Sequence, residues 1–482
     1  MAEVQRESAK TPLPVWKEWF FGTGTLGMTM CNSVMNTFYF YFLTNVVMMA
    51  PALMAIITTV SRFASVFYAP IKGVIMGKKE WKRGKYGVYL KFWEPLGRAV
   101  MVLCFVNMQA SQSVQFIYYV GIFVIAGFLL SFPDTATLAS MQFLTTDAQQ
   151  AVRLSSKKSV VATFGQVLSS LLTVRLVVAF GQGDQGKGYF MVYLTYSILA
   201  VIGYWLTSGI VLKNYDFYKV QDAGLEEKAR IEREKKAAEE ANKEKIPFSV
   251  YLKAYTTNFS PIALMIGDAC KASASLLYSG SITYYLTYYV GDASKLTLFL
   301  FTANMGLLLG SWCCPTCVRL FGRKMTNVFA YGGFGVALIL AHFIGVGEAW
   351  AIIMFVGIGR FFSGLNASIV GAFYVDIADE YEYRSGYNMT PFFMSMGGLS
   401  WTIASVCCGT IVGGTLARVG FNAAAEVTQP MLDAMLNLMT FIPGIPLAIG
   451  TVIFVLGYNL TDKKMAPIRA ELAERRKEKI EQ

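Results

Sequence analysis

The chain has 482 residues, of which 55% are hydrophobic and only 15% charged, with a formal net charge of +11. A soluble domain carries about a quarter of its residues as charged side chains, so this composition excludes an ordinary water-soluble enzyme or binding module. Its apolar residues fall in runs near the ~20 residues a helix needs to cross hydrocarbon, without barrel alternation, and the expected fold class is an all-α membrane protein.

Residues 1–16 are polar and include Pro12 and Pro14, so no cleavable signal peptide is expected. Six apolar runs follow, at 20–47, 51–76, 89–108, 114–144, 160–180 and 189–211. The loop after the second, GKKEWKRGKYG, carries Lys78, Lys79, Lys82, Arg83 and Lys85. The loop after the fourth carries Arg153, Lys157 and Lys158. From Asp222 to Lys245 the chain reads DAGLEEKARIEREKKAAEEANKEK, a mixed-charge run of helix formers that reads as a solvated linker. Six more apolar runs lie at 258–290, 296–320, 327–344, 349–375, 392–416 and 431–456, with Arg323 and Lys324 after the eighth run overall. Lys and Arg are retained on the cytoplasmic side, so both termini are expected inside an inner (plasma) membrane. That placement also assigns the positive charge to topology rather than to nucleic acid.

Six spans, a charged linker and six more spans is the plan of the major facilitator superfamily, built from two related halves. The expected divisions are a tail at 1–19, a six-helix half at 20–212, a linker at 213–257, a second six-helix half at 258–457 and a tail at 458–482. Twelve transmembrane helices follow from this division.

Charged side chains inside spans are costly and therefore mark function or structural pairing. Asp268 and Lys271 on the seventh span lie three apart, on one helical face, where they can neutralise each other or serve a solute or proton. Asp134 follows Pro133 on the fourth span and has no charged neighbour there, so a substrate hydroxyl or a group from another helix must satisfy it. Arg62, Arg98, Arg175 and Arg360 are candidate partners for Asp134 or for Glu94. Tyr278, Tyr284, Tyr285, Tyr288 and Tyr289 on span seven, with Tyr39 and Tyr41 on span one, fit an interfacial belt or a stacking surface. His342, the only histidine, fits a structural role better than a proton carrier. The cysteines lie almost wholly in apolar runs and read as small buried hydrophobes, including Cys313, Cys314 and Cys317. A P-loop, a Gly-x-Ser-x-Gly elbow and zinc spacing are all missing, so neither an enzyme nor an ATP-driven pump is expected.

Several stretches then carry a resemblance. Span one opens FGTGTLGMTM and closes YFLTNVV, and span two with its loop reads SRFASVFYAPIKGVIMGKKEWKRGKYG. After span ten comes VDIADEYEYRSG, holding Asp376, Asp379, Glu382, Arg384 and Gly386, and the tail reads YNLTDKKMAPIRAELAERR. In order and spacing these resemble the glycoside–pentoside–hexuronide cation symporters typified by the melibiose permease, nearly end to end. The resemblance implies sugar transport by symport. It also implies that Asp134 matches the family's sugar-binding aspartate on span four, with Lys158 near its usual arginine partner.

The departures fall on the implied cation site. Positions matching the family's span-two carboxylates are Ser65 and Ala69, the expected span-eleven lysine is Thr402, and the acidic sugar-binding position on span one is Thr29, with Asn45 closing that helix in place of Asp. Sodium prefers a cage of hard oxygens that includes charge. Proton coupling, or facilitated transport without a coupling ion, is therefore expected over Na⁺, with no cofactor.

The expected function is a secondary transporter of a sugar, glycoside or uronide working by alternating access as a monomer. Asp134, Thr29, Lys158, Arg62, Trp401 and Lys271 are the candidate solute residues. Asp268, Ser65, Ala69 and Thr402 are the candidate coupling positions, and Lys82, Arg83, Glu382, Arg384 and Asp379 the candidate cytoplasmic gate. Two other readings stand beside it: a carrier of an amphipathic or aromatic non-sugar solute on the same fold, and a solute sensor.

Overall fold

A computed structural model describes residues 15–78, 87–144, 148–212, 258–344, 349–387 and 389–481. The linker expectation at 213–257 and the gate residues Lys82 and Arg83 lie outside the described residues. In chain order the helices are α1 (Val15–Phe21), α2 (Thr23–Thr37), α3 (Tyr39–Tyr41), α4 (Pro51–Lys78), α5 (Glu94–Val102), α6 (Gln112–Leu144), α7 (Ala148–Gly181) and α8 (Gln185–Leu206). Beyond the linker come α9 (Ser260–Tyr284), α10 (Lys295–Ile344), α11 (Ala349–Ser385), α12 (Thr390–Arg418), α13 (Gln429–Met439), α14 (Phe441–Gly457) and α15 (Asp462–Glu481). Proline marks several starts: it opens α4 and sits in the first two positions of α9, α12 and α13, where its missing N–H costs nothing.

Each of the twelve expected spans coincides with a helical stretch, and seven helices among the described residues are long and apolar enough to cross a membrane. Spans eight and nine form the single run α10, which turns at Gly322 with φ +78°, a conformation glycine adopts without strain. Spans three and seven have their hydropathy lowered by the charges placed inside them, Glu94 and Arg98 in one and Asp268 and Lys271 in the other.

The helices gather into two compact units. One comprises Met1–Val34, Ala64–Ser169 and Leu176–Pro247, and the other Met35–Phe63, Ser170–Arg175 and Phe248–Gln482. In the first, Phe21, Tyr89, Leu90, Phe132, Leu154 and Tyr204 form a buried core. In the second, α10 and α11 approach so closely that a Cβ on Gly310 would strike the Phe361 carbonyl, and one on Gly364 the Leu307 carbonyl. Small residues at such crossings let membrane helices pack by dispersion where lipid offers no hydrophobic drive. This close crossing fixes the stretch of α11 from Gly357 to Asn366.

A short internal repeat is visible in the backbone of the second unit. Tyr41-Phe42-Leu43-Thr44-Asn45-Val46-Val47 and Tyr284-Tyr285-Leu286-Thr287-Tyr288-Tyr289-Val290 share a Tyr-aromatic-Leu-Thr-x-x-Val pattern. Each contains a π-helical turn, Phe42–Val46 and Tyr285–Tyr289. Each also ends on the same cap: Met49 N–H donates to Leu43 O and Asp292 N–H to Leu286 O, both at 2.9 Å. Met48 and Gly291 hold the matching left-handed positions, at φ 60° and 74°.

The two segments meet reciprocally. Thr44 and the Tyr284 hydroxyl are 2.7 Å apart, Thr287 hydrogen-bonds Tyr41, and the Tyr288 hydroxyl donates to Asn45. The Tyr41 and Tyr284 rings stand edge to face at 5.6 Å. Thr37 and Ser279 add a hydroxyl pair at 2.9 Å and Thr59 and Thr410 another at 2.7 Å. The seam thus matches related residues across a pseudo-twofold, as two subunits would, and the contacts named here are all neutral.

Candidate functional site

In the first unit the site lies on the turn of α6 that holds Pro133. Lys72 of α4 crosses to this turn: its Nζ donates to the Ser131 carbonyl at 3.3 Å and to Thr135 Oγ1 at 2.9 Å. Asp134, half-buried on the same turn, lies in electrostatic reach of Lys72, Lys158 of α7 and the Glu94–Arg98 pair. No hydrogen bond reaches its carboxylate among the described residues. Glu94 and Arg98 are both buried, joined at 2.7 Å one turn apart on α5, and Arg98 also hydrogen-bonds the Tyr193 hydroxyl. Of the candidate arginine partners, Arg98 therefore takes Glu94. Trp93, Phe132 and Tyr89 stack beside this group, with Trp93 and Phe132 centroids 4.3 Å apart. Facing charges of both signs, with an unbonded acceptor among them, suit a solute rich in hydroxyls.

Thr29, a candidate solute residue, has its hydroxyl among backbone carbonyls of two helices. Its hydroxyl lies 2.8 Å from the Thr25 carbonyl, 2.9 Å from that of Leu26 and 3.0 Å from that of Ala162, tying α2 to α7. Lys72 joins the Asp134 group without having been among the expected solute residues.

In the second unit Asp268 is surrounded by donors. The Tyr331 hydroxyl donates to its Oδ1 at 2.6 Å, the Tyr374 hydroxyl to Oδ2 at 3.0 Å, and the Asn366 amide to Oδ1 at 3.3 Å. Lys271 does not meet Asp268 directly, although the two share a helical face. Its Nζ donates instead to Asn366 Oδ1 at 2.8 Å, so the amide relays between the two charges. Asn327, 2.8 Å from Asn366, completes the cluster.

The remaining candidates spread along the second unit and α4. Arg62 donates to Asn36 Oδ1 at 3.4 Å, and Thr402 to the Gly398 carbonyl of its own helix at 3.0 Å. Ser65 is half-buried, Trp401 is exposed, and the Ala69 side chain lies outside the described set. In the VDIADEYEYRSG motif, Arg384 pairs at 2.5 Å with Glu380 one turn back. Asp379 is buried, and Glu382 is half-buried. Two arginines from other helices reach Asp376 of this motif: Arg323 at 2.9 Å, which also pairs with Asp462, and Arg469 of α15 from another side; Arg475 of α15 donates to the Tyr383 carbonyl at 3.3 Å. His342 lies 2.9 Å from Thr440 Oγ1 with its ring against Phe441, a structural setting. Three or more His, Cys, Asp or Glu side chains grouped to hold a metal do not occur among the described residues.

The family model described as MFS/sugar transport protein matches residues 20–462. Among curated proteins, YagG of Escherichia coli strain K12, provisionally named a glycoside/cation symporter, is 25% identical over 460 residues and 94% of each chain. The isoprimeverose transporter of Lactiplantibacillus pentosus is 23% identical, over 87% of this chain and 84% of its own. Among solved structures, the D-xylose-proton symporter superposes with a TM-score of 0.65 at 12% identity, over 93% of this chain and 99% of that one.

Proposed function

The chain belongs to the MFS/sugar transport protein family and is a secondary transporter rather than an enzyme; on that premise we propose that it carries a hydroxyl-rich, sugar-like solute across the inner membrane, coupled to protons. The observation that carries this reading is the Asp134 carboxylate, held beside Lys72 and Lys158 with its acceptor capacity unfilled. Sugar hydroxyls donate to a carboxylate and accept from an ammonium, so one ligand class satisfies both signs of charge. A purely apolar aromatic solute would leave these three charges unmet, which disfavours that form of the non-sugar alternative. Proton coupling is preferred because Ser65 and Ala69 stand where the family's cation carboxylates are expected, whereas Asp268 is an ionisable group within a hydrogen-bonded cluster.

Uptake of labelled pentoses, glycosides and uronates into proteoliposomes, under imposed proton or sodium gradients, tests the reading. Accumulation of one of these sugars under a proton gradient is the expected result. Failure of a folded preparation to take up any of them would move the assignment to a non-sugar solute.

With both termini cytoplasmic, the doubled Tyr-aromatic-Leu-Thr seam lies at the extracytoplasmic end, and alternating access requires it to part in each cycle. Cross-linking it is expected to arrest transport. Thr37→Cys with Ser279→Cys replaces two hydroxyls 2.9 Å apart, a disposition a disulfide can span. Oxidation should reduce uptake about tenfold or more, with recovery on reduction. Unchanged uptake by the fully cross-linked protein would show that the seam stays closed throughout the cycle.

A further inference from the structure

We infer that the second unit holds an oxyanion site, built on Arg360 and Lys271, that binds the carboxylate or sulfonate of an anionic solute. The inference rests on the transporter reading and narrows its substrate class. Along α9, Asp268, Lys271, Ser275 and Tyr278 recur at three- and four-residue spacing and share one face; along α11, Arg360, Ser363 and Asn366 recur at three. The two stripes are joined by hydrogen bonds from Arg360 Nη1 to Ser275 Oγ at 3.2 Å and from Lys271 to Asn366 at 2.8 Å. The Gly310 and Gly364 crossing holds this stretch of α11 in place.

Arg360 is 9% exposed, and its guanidinium carbon sits 5.5 Å from the centre of the Tyr278 ring. Its named hydrogen-bond partners are two serine hydroxyls, Ser275 and Ser363, and its buried Nε makes no hydrogen bond among the described residues. No carboxylate pairs with Arg360 or Lys271 within ion-pair distance among the described residues. Asp268 is the one carboxylate on the facing stripes, and its oxygens are already engaged by Tyr331, Tyr374 and Asn366.

Hydroxyls, an amide and a ring face stabilise a cation but do not neutralise it. Two cations against one carboxylate leave a single uncompensated positive charge in a low-dielectric interior, which is costly unless a counter-charge arrives. The guanidinium fork and its orphaned donor fit a planar or tetrahedral oxyanion, and one net charge matches a carboxylate or sulfonate. A phosphate, at close to two negative charges, would overfill it.

The test measures binding to the purified full chain by thermal shift, with D-glucose, D-glucuronate, the 6-sulfonate analogue of glucose, and sugar-free acetate and methanesulfonate. The expected result is that at least one anionic sugar binds about tenfold tighter than glucose, one charge-assisted contact's worth. Arg360→Gln should bring that sugar down to the level of glucose and leave glucose unchanged, while Arg360→Lys restores part of the preference. Lys271→Gln supplies the same comparison should Arg360→Gln fail to fold. Equal or tighter binding of glucose, or a loss in the variants that falls on glucose and glucuronate alike, would overturn the site. Arg360-dependent stabilisation by acetate or methanesulfonate, with no response to any sugar, would uphold the site and reject the sugar reading. Glucose uptake with no preference for anions would do the reverse.

Discussion

On the proposed solute role, replacing Asp134 by Asn is expected to lower sugar uptake about 100-fold while leaving the thermal stability of the purified protein nearly unchanged, because no hydrogen bond within the described fold would be lost. No hydrogen bond within the described fold depends on its carboxylate, in contrast to Glu94, whose removal would strand buried Arg98. The amide keeps the shape but replaces one charged acceptor face with a donor. It should clash with solute hydroxyl donors and remove the negative charge that both Lys72 and Lys158 feel. Two charge-assisted hydrogen bonds at about 1.5 kcal/mol each account for a factor near 100. Equilibrium exchange should fall along with accumulation, since binding itself is impaired. Retained solute affinity in Asp134→Asn, in a preparation that melts normally, would remove Asp134 from the solute site.

How far the sequence reveals this arrangement depends on whether a feature is local to one helix. Span positions are legible because each is a continuous apolar run, and Asp134 stands out because a lone carboxylate beside proline is anomalous within its own span. Lys158 is reached through the family resemblance, and the structure brings it into range of Asp134. Lys72 carries the same local signal, a charge four residues inside the expected end of span two, yet its sequence neighbours Lys78 and Lys79 make it look like part of the basic loop. The Asp268 cluster is legible only in part. Helical spacing puts Lys271 on the same face, but the interposed Asn366 comes from α11 and the phenols Tyr331 and Tyr374 from α10 and α11, and no periodicity within one span reports a contact between spans. Thr29 shows the converse. Alignment gives a position, whereas the nearby Leu26 and Ala162 carbonyls decide where its hydroxyl goes.

Asp268→Asn is expected to abolish accumulation driven by a proton gradient while solute exchange continues within about threefold of the unmodified rate. The Asp268 carboxylate accepts from Tyr331, Tyr374 and Asn366, and through Asn366 it faces the Lys271 ammonium, with Arg360 beyond. Placing a proton on Asp268 takes up the acceptor site its three donors leave free on Oδ2, and it cancels the one negative charge on the facing stripes of α9 and α11. The pocket around Lys271 and Arg360 then becomes more positive, which strengthens its hold on an oxyanion. By linkage, a bound oxyanion must favour the protonated form of Asp268 to the same degree, so solute and proton travel together without touching. The sign is definite: affinity for an anionic sugar should rise as pH falls. Asp268→Asn, which carries no titrating group, should show a flat profile over the same range. Its amide also donates where the two phenols donate, so the cluster must rearrange, and a melting curve separates that local cost from unfolding. Proton-driven accumulation that survives Asp268→Asn would place the coupling group elsewhere in the bundle. A pH dependence that survives with accumulation lost would mean that the proton is bound at another group and only transmitted through Asp268.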